Sequence, residues 1–255
     1  MNERLYFLEF NQNRIDTVPD SEVVNHNYND LPQRDIKVHK IARRDLSIIT
    51  SSEYTVKELT VSIDIKTRCR EDTEIVIRNL KALLQAQNGL LKIWNAGIKL
   101  RYTATLNEFN IKWQGGMALC EVVFLARTPI GEADKTDILF TINGITTSTA
   151  SKAFTVEGSF MVEPVIVLSF KAASTGSFTL VNGATQQGIT ITGTFANGDT
   201  VTIDSKEYSV QHNGAEVDFT GAFPIFPVGA QVISYSDTFA SRNIDISCDY
   251  RQRIV

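Results

Sequence analysis

The chain has 255 residues, a formal net charge of −4 and 43% hydrophobic residues, which is enough to bury an ordinary globular core. This length suits two domains of about 100–150 residues each. No apolar run approaches the roughly 18 residues that a membrane span needs, and the first residues are too charged for a signal peptide. The sequence therefore predicts a soluble protein, made in the cytoplasm, that has no membrane partner.

The charge is unevenly distributed along the chain. Residues 1–134 hold 18 Lys/Arg and 18 Asp/Glu, whereas residues 135–255 hold 7 and 11, so the whole negative excess lies in the second part. A protein that grips nucleic-acid phosphates needs a basic surface. The largest basic cluster is Lys40, Arg43 and Arg44, which we interpret as a solvated loop. No sequence-specific nucleic-acid binding is predicted.

The first part of the chain predicts strands around one helix. Apolar residues alternate with polar ones from Leu59 to Lys66, the period of a strand with one buried face. An acidic start and an apolar stripe from Val76 to Leu84 predict a helix over about residues 71–86, which Asn88-Gly89 would stop. The apolar phase then slips near Asn107-Glu108, which predicts a β-bulge.

The polar stretch 11–56 leaves two interpretations open. It contains Pro19 and Pro32 and only fragments of alternation, at 36–41 and 46–49. It is either an extended arm that lies against a neighbouring subunit or a set of strands with long loops.

The second part predicts an all-β domain. Asn-Gly pairs, which favour hairpin turns because both residues accept positive φ, occur at 143–144, 182–183, 197–198 and 213–214. Many short strands with such turns are typical of a β-sandwich or jelly roll. Pro129, Gly131 and a charged run predict a linker within 129–138, so the domains are expected at 1–133 and 134–255. The predicted strands are 164–170, 177–181, 189–195, 200–204, 207–211, 216–219, 231–236 and 243–250.

The chain shows no established catalytic motif. It lacks HExxH, GxSxG, Walker A and GxGxxG sequences, and we interpret His26, His39 and His212 as ordinary surface residues. Asp199 and Asp204 are a candidate pair for Ca²⁺ or for acid–base work, as in a glycosidase. The preferred alternative is a hairpin that turns at Asn197-Gly198-Asp199 and points Asp204 outward.

Other reactive side chains have structural interpretations. Helix-end electrostatics account for Glu71, Asp72 and Glu74 better than a metal does. Core packing is preferred over a sugar-stacking platform for three aromatic residues, Trp94, Tyr102 and Trp113. Three cysteines without a CxxC spacing support neither zinc binding nor a disulfide framework, and Cys120 and Cys248 are expected to be small buried hydrophobes.

The order of these segments resembles the distal tail protein family of long-tailed phages and prophages. The resemblance in the first domain rests on segments Leu59–Lys66, Leu80–Leu84, Gly89–Ile93, Leu100–Leu106, Ala118–Ala126 and Thr128–Gly131. In the second domain it rests on segments Glu163–Ile166, Asn197–Asp199, Asp204, Asn213–Gly214, Phe219–Pro224, Pro227–Gly229 and Tyr250–Arg253. The chain departs from the family pattern at Thr128 and Ile130, where the family has Asp and an aromatic residue, and at Val228, which separates Pro from Gly.

The resemblance implies a structural protein of the virion rather than an enzyme. It implies a mainly β fold with one helix, in which a ring-forming first domain of the sandwich or split-barrel type is followed by a galectin-like β-sandwich. The expected assembly is a homohexameric ring at the tail tip, in contact with the tail tube protein, tape-measure-associated proteins and receptor-binding proteins. It implies no cofactor, metal or catalytic residue, and leaves the ring contacts unassigned. The alternative function is a carbohydrate-binding module that aids host adsorption.

Overall fold

The computed structural model describes residues 6–27, 34–40, 47–85, 87–95 and 98–254. The chain forms two compact units, residues 1–134 and 135–254. Most of the described residues lie in antiparallel strands, and one α-helix is present among them, which confirms the predicted fold class.

The first unit contains the helix. Its elements are β1 (Tyr6–Phe10), β2 (Asn13–Arg14), a 3-10 helix (Ile15–Thr17), β3 (Ser21–His26), β4 (Arg34–Lys40), β5 (Ser47–Tyr54), β6 (Lys57–Ile65), α1 (Arg70–Leu84), β7 (Gly89–Asn95), β8 (Ile98–Gln114), β9 (Met117–Ala126) and β10 (Gly131–Ala133).

One curled sheet organises this unit. Its strand order is β2-β1-β7-β8-β9-β6-β3, and β10 pairs with β8. Strands β1 and β3 lie near opposite ends of that order yet are in contact, so the sheet curls on itself. The alternation in β6 places Leu59, Val61, Ile63 and Ile65 on the fully buried inner face. The stretch 11–56 is folded into strands where it is described, with β4 and β5 as a separate antiparallel hairpin.

Helix α1 covers part of the inner face of the sheet. Its buried stripe includes Val76, Ile77, Leu80 and Leu84, at the spacing of one helical face. Acidic Glu71 and Asp72 lie in the first turn, where the free N–H groups favour negative charge. The helix ends at Leu84 rather than at Asn88-Gly89, where it was predicted to stop. Asn88 instead turns the chain with a φ of 51°, and Gly89 begins β7.

The predicted bulge is present in β8. The register between β8 and β9 shifts between Leu106 and Glu108, which leaves Asn107 as the extra residue. After the shift, Phe109, Ile111 and Trp113 return to the face that carries the apolar side chains of β9. The sequence predicted this feature because a slip in apolar phase has few other causes in a continuous strand.

The second unit is a two-sheet sandwich. Its strands are β11 (Asp137–Ile145), β12 (Thr149–Val156), β13 (Val165–Phe170), β14 (Ser174–Asn182), β15 (Gly188–Phe195), β16 (Thr200–Asp204), β17 (Ser209–His212), β18 (Ala215–Glu216), β19 (Phe219–Gly221), β20 (Gly229–Asp237), β21 (Ile244–Tyr250) and β22 (Arg253–Ile254).

Aromatic side chains fill the space between its two sheets. The sheets have the orders β11-β21-β13-β16-β17-β18 and β12-β20-β14-β15-β19. Phe170 stacks on Phe195 with ring centroids 4.3 Å apart, and Phe178 and Phe239 pack around this pair. All four rings are almost completely buried. The packed rings join the two sheets, because each sheet supplies part of the cluster.

The Asn-Gly predictions have mixed outcomes. Asn213-Gly214 is the two-residue turn of the β17–β18 hairpin, with both φ values positive. Asn143-Gly144 is not a turn, because it lies within β11 at a register shift. The predicted hairpin at Asn197-Gly198-Asp199 is also wrong, because β15 and β16 belong to different sheets and the segment crosses between them. Within the predicted linker 129–138, residues Gly131–Ala133 form a strand beside β8.

Candidate assembly surfaces

The outer face of the first sheet carries a ladder of paired charges. Glu9, Lys92, Arg101 and Glu132 lie opposite one another on four neighbouring strands, β1, β7, β8 and β10. The Lys92 ammonium is 3.2 Å from the Glu9 carboxylate, and the Arg101 guanidinium donates to Glu132 at 2.9 and 3.2 Å. Asp134 contacts Lys92 at 3.4 Å and Lys99 at 2.8 Å. We call these six residues the charged ladder.

The charged ladder is neutral and partly shielded from water. The side chains of Glu9 and Glu132 are only 14% and 13% exposed. The hydrogen bond from Lys92 to Glu9 raises the pKa of the Lys92 ammonium. Burial is the largest single influence on Asp134 and opposes its ionisation, but the hydrogen bonds and positive charges of Lys99 and Lys92 together lower the pKa of this carboxyl. Balanced charges of this kind fix the register of four strands rather than attract a charged ligand.

A cluster of hydrogen bonds around Asp199 joins the connection before β16 to the β17–β18 hairpin. We call Asp199, His212 and Asn213 the polar clasp. The Asp199 carboxylate accepts hydrogen bonds from the Asn213 amide at 2.8 Å, the Ala196 backbone N–H at 2.7 Å and His212 Nε2 at 2.8 Å. These contacts hold the pKa of Asp199 at about 2, below its usual value. The His212 ring packs edge-on against Phe195. His212 is therefore part of a structural contact, which its interpretation as an ordinary surface residue missed.

The candidate acid pair is separated by a whole strand. Asp199 precedes β16 and Asp204 ends it, so their Cα atoms are roughly 16 Å apart at the usual rise of a strand. Paired carboxylates in glycosidases are about 5–9.5 Å apart. Asp204 instead accepts hydrogen bonds from the backbone N–H groups of Lys206 and Glu207, which closes the turn after β16. The arrangement does not form an acid–base pair.

The remaining histidines and the basic trio lie in the first unit. His26 is partly buried at the end of β3, and this burial lowers its pKa. His39 and Lys40 lie in β4, but their side chains fall outside the described residues, as do Arg43 and Arg44. The interpretations of His39 and the basic trio therefore stay predictions.

The aromatic residues behave differently from one another. Tyr102 is buried in the core, as predicted. Trp94 is only half-buried. Trp113 is 39% exposed, and the Arg70 guanidinium lies 4.6 Å from its ring centroid. Core packing was therefore wrong for Trp113, which lies one residue before the end of β8, beside the first residue of α1.

The described cysteine and carboxylate side chains show no metal-binding geometry. Cys120 and Cys248 are fully buried, as predicted, and burial raises the pKa of the Cys120 thiol to about 11. Within the described ranges, no three His, Cys, Asp or Glu side chains converge on one point. The described part of the chain also has no helix that combines the length and apolar character needed to cross a bilayer.

Two exposed features of the second unit are available for contacts. Tyr208 is 63% exposed, has a positive φ of 53° and packs edge-on against Phe223. Along β12 and β20, an open groove of 580 Å³ is lined by Ala153, Thr155, Ala230, Val232 and the Gly183-Ala184 loop. The sequence signalled neither, because both depend on which strands become neighbours.

The comparisons with known proteins agree with this architecture. Residues 157–253 match the family model described as the siphovirus-type tail component, C-terminal domain. The crystal structure of the Dit protein of phage SPP1, described as a paradigm of the hub adsorption apparatus in phages that infect Gram-positive bacteria, is similar to the chain with a TM-score of 0.74. The two are 15% identical, and the match covers 98% of this chain and 99% of that one.

A second similar structure is more distant. A chain of the phage P2 baseplate, in its activated conformation with Ca, matches at a TM-score of 0.49 and 7% identity over 97% of this chain and 98% of that one. Among curated protein sequences, none matches this chain. The sequence-based resemblance to distal tail proteins is confirmed by the family match and by the fold.

Proposed function

We propose that this chain is a structural tail protein that forms a ring at the tail tip, because residues 157–253 match the siphovirus-type tail component family and the chain has the fold of a phage hub protein. The observation that carries the proposal is the likeness over 98% of the chain, which includes both units rather than the matched domain alone.

The first unit is the proposed ring-forming part. A ring needs contacts between unlike patches on successive subunits. The strands at the ends of the curled sheet, β2 and β3, provide such patches, because each pairs on one side only with strands of the described residues. Six copies per ring, and contacts with the tail tube and tape-measure-associated proteins, are the specific form of this proposal.

The second unit is the proposed attachment point for receptor-binding components. Its core is complete in itself, since two sheets enclose the aromatic cluster. Such a unit needs no neighbour to bury its apolar residues, so its outer surfaces remain available for other tail proteins.

Gold-labelled antibodies against the purified chain test the location within phage particles. The proposal expects label only at the end of the tail distal to the capsid. Label along the tail tube or on the capsid would contradict a hub role.

A second candidate function, carbohydrate binding by the second unit, is favoured by Tyr208. An exposed aromatic ring held in place by another ring can stack on a sugar. A glycan array probed with the full chain and with Tyr208→Ala checks this candidate. Binding that is lost in the variant supports it, and no binding by the wild-type chain removes it.

A further inference from the structure

The second unit has four terminal strands, and only one of them presents a long regular edge. Among the described residues, β18 has two residues, β19 has three, and the pairing of β11 with β21 is broken twice. Strand β12 has eight residues in unbroken register with β20, from Thr149 opposite Ser236 to Val156 opposite Gly229. Short or bulged edges resist pairing with another strand, whereas a long regular edge is a template for it.

The outer edge of β12 carries free backbone groups. The Ser148 carbonyl accepts a hydrogen bond from the Asp237 N–H and therefore points towards β20. The Thr149 carbonyl accepts a hydrogen bond from the Thr147 hydroxyl and points away from β20. Because backbone groups alternate in direction along an antiparallel strand, the N–H groups of Ser151, Ala153 and Thr155 also point away from β20. No other group in the described part of the chain bonds to this edge.

A single lysine interrupts the side chains of β12 that face the other sheet, which belong to Ala150, Lys152, Phe154 and Val156. Phe154 and Val156 of this row pack inward, but Lys152 is exposed although it lies opposite the buried Ile233. Lys152 makes no ion pair with any described residue. A charge at this place prevents pairing with arbitrary strands, and it favours a strand that brings a carboxylate to the same position.

A second copy of the chain is a poor occupant of this edge. Lys152 lies near the middle of β12, so antiparallel pairing of two β12 strands would bring the two Lys152 side chains close together. Like charges opposite each other destabilise strand pairs. A partner with an acidic residue is complementary instead.

The groove on the outer face of β12 and β20 adds an apolar component. Its lining includes Ala153, Ala230 and Val232, the last of which is 42% exposed. The Gly183 N–H donates to the Val232 carbonyl at 2.8 Å and fixes the loop that closes one side. A volume of 580 Å³ is within the range of small-ligand sites, and it accommodates apolar side chains of a docked segment.

We propose that β12 accepts an extended segment of another tail protein as an added strand. The segment carries Asp or Glu beside Lys152 and apolar side chains facing the groove. Backbone hydrogen bonds would supply affinity, and the charge and the groove would supply specificity. This inference rests on the proposed hub function, since it names the surface through which the second unit attaches a partner.

Two labelled peptides test the proposal with the full chain. One has the sequence Thr-Val-Thr-Val-Glu-Val-Thr-Val-Thr, and the other has Lys in place of Glu. Fluorescence anisotropy should show binding of the Glu peptide and at least tenfold weaker binding of the Lys peptide. Lys152→Glu should reverse this preference, whereas Lys206→Glu, with the same charge change in the turn after β16, should leave it unaltered.

The variant Ala153→Pro blocks the edge itself. It removes an N–H that bonds to none of the described residues, so the fold is kept while strand addition is prevented. Peptide binding should be lost, with unchanged circular dichroism. Equal binding of both peptides, no binding of either, or full binding by Ala153→Pro would overturn the proposal. A smaller oligomer in Ala153→Pro would also overturn it by assigning β12 to self-association. Ring formation, measured separately by electron microscopy, reports on the hub function alone.

Discussion

The two units bury their apolar side chains in different ways. The first curls one sheet and covers part of its inner face with α1, and its outer face carries the charged ladder at low exposure. The second places two sheets face to face around stacked phenylalanines. Charge pairs between neighbouring strands therefore contribute to the stability of the first unit, whereas the packing of aromatic side chains contributes most in the second. The difference suits the proposed roles, in which the first unit forms a ring and the second attaches partners.

The largest expected effect comes from the aromatic core. Phe178→Ala should reduce the free energy of unfolding of the second unit by about 3–5 kcal/mol, because it leaves a cavity among fully buried rings. Chemical unfolding with a probe for each unit measures the loss. Thr175→Ala, on an exposed part of the same strand, should change it by less than about 0.5 kcal/mol. An equal loss in the first unit would contradict the independence of the two cores.

A smaller effect is expected from the charged ladder. Lys92→Met removes the cation between Glu9 and Asp134, and leaves a shielded carboxylate without its strongest partner. The expected cost is about 1–3 kcal/mol in the unfolding of the first unit. The matched control is Lys66→Met, since Lys66 pairs with Glu22 where both side chains are more than half exposed. That loss should be clearly smaller than the loss in Lys92→Met, because solvent screens such pairs. Equal losses would show that the ladder is an ordinary surface feature.

The polar clasp predicts a pH dependence in the second unit. The pKa of Asp199 is lowered from 3.8 to about 2 in the folded chain, so its contribution to stability is present above pH 4 and is lost as pH falls towards 2. Acid titrations of wild type and Asp199→Asn measure this. The variant should lose less stability over this range, because it has no proton to gain there. Parallel curves would contradict the assignment.

The smallest expected effect concerns thiol reactivity. Cys69 is exposed at the start of α1, whereas Cys120 and Cys248 are buried in the first and second units. A thiol reagent should modify one cysteine in the native protein and three after denaturation. Rapid modification of Cys120 would show that the inner face of the first sheet opens.

Periodicity predicted the fold because it reports which side chains share a face. The alternation at Leu59–Lys66, the stripe of α1 and the phase slip at Asn107 all appear in the structure where the sequence indicated. The turn at Asn197-Gly198 was mispredicted because an Asn-Gly pair specifies a backbone conformation and not the sheet that the next strand joins. Trp113 was mispredicted because alternation cannot show where a core ends along a strand.

The candidate surfaces were largely beyond sequence reasoning. The charged ladder needs the register of four strands, and Glu9 is 83 residues from Lys92 along the chain. The clasp between Asp199 and His212 depends on the pairing of β16 with β17, in which His212 lies opposite Val201. Pairing between distant segments is set by tertiary packing, and no local pattern records it.

Electron microscopy of the purified chain, with its mass measured by sedimentation velocity, tests the central claim most directly. Six-fold rings of about 170 kDa, built from a chain of 28.4 kDa, are expected. A monomer at every concentration, in the presence and absence of the tail tube protein, would contradict it.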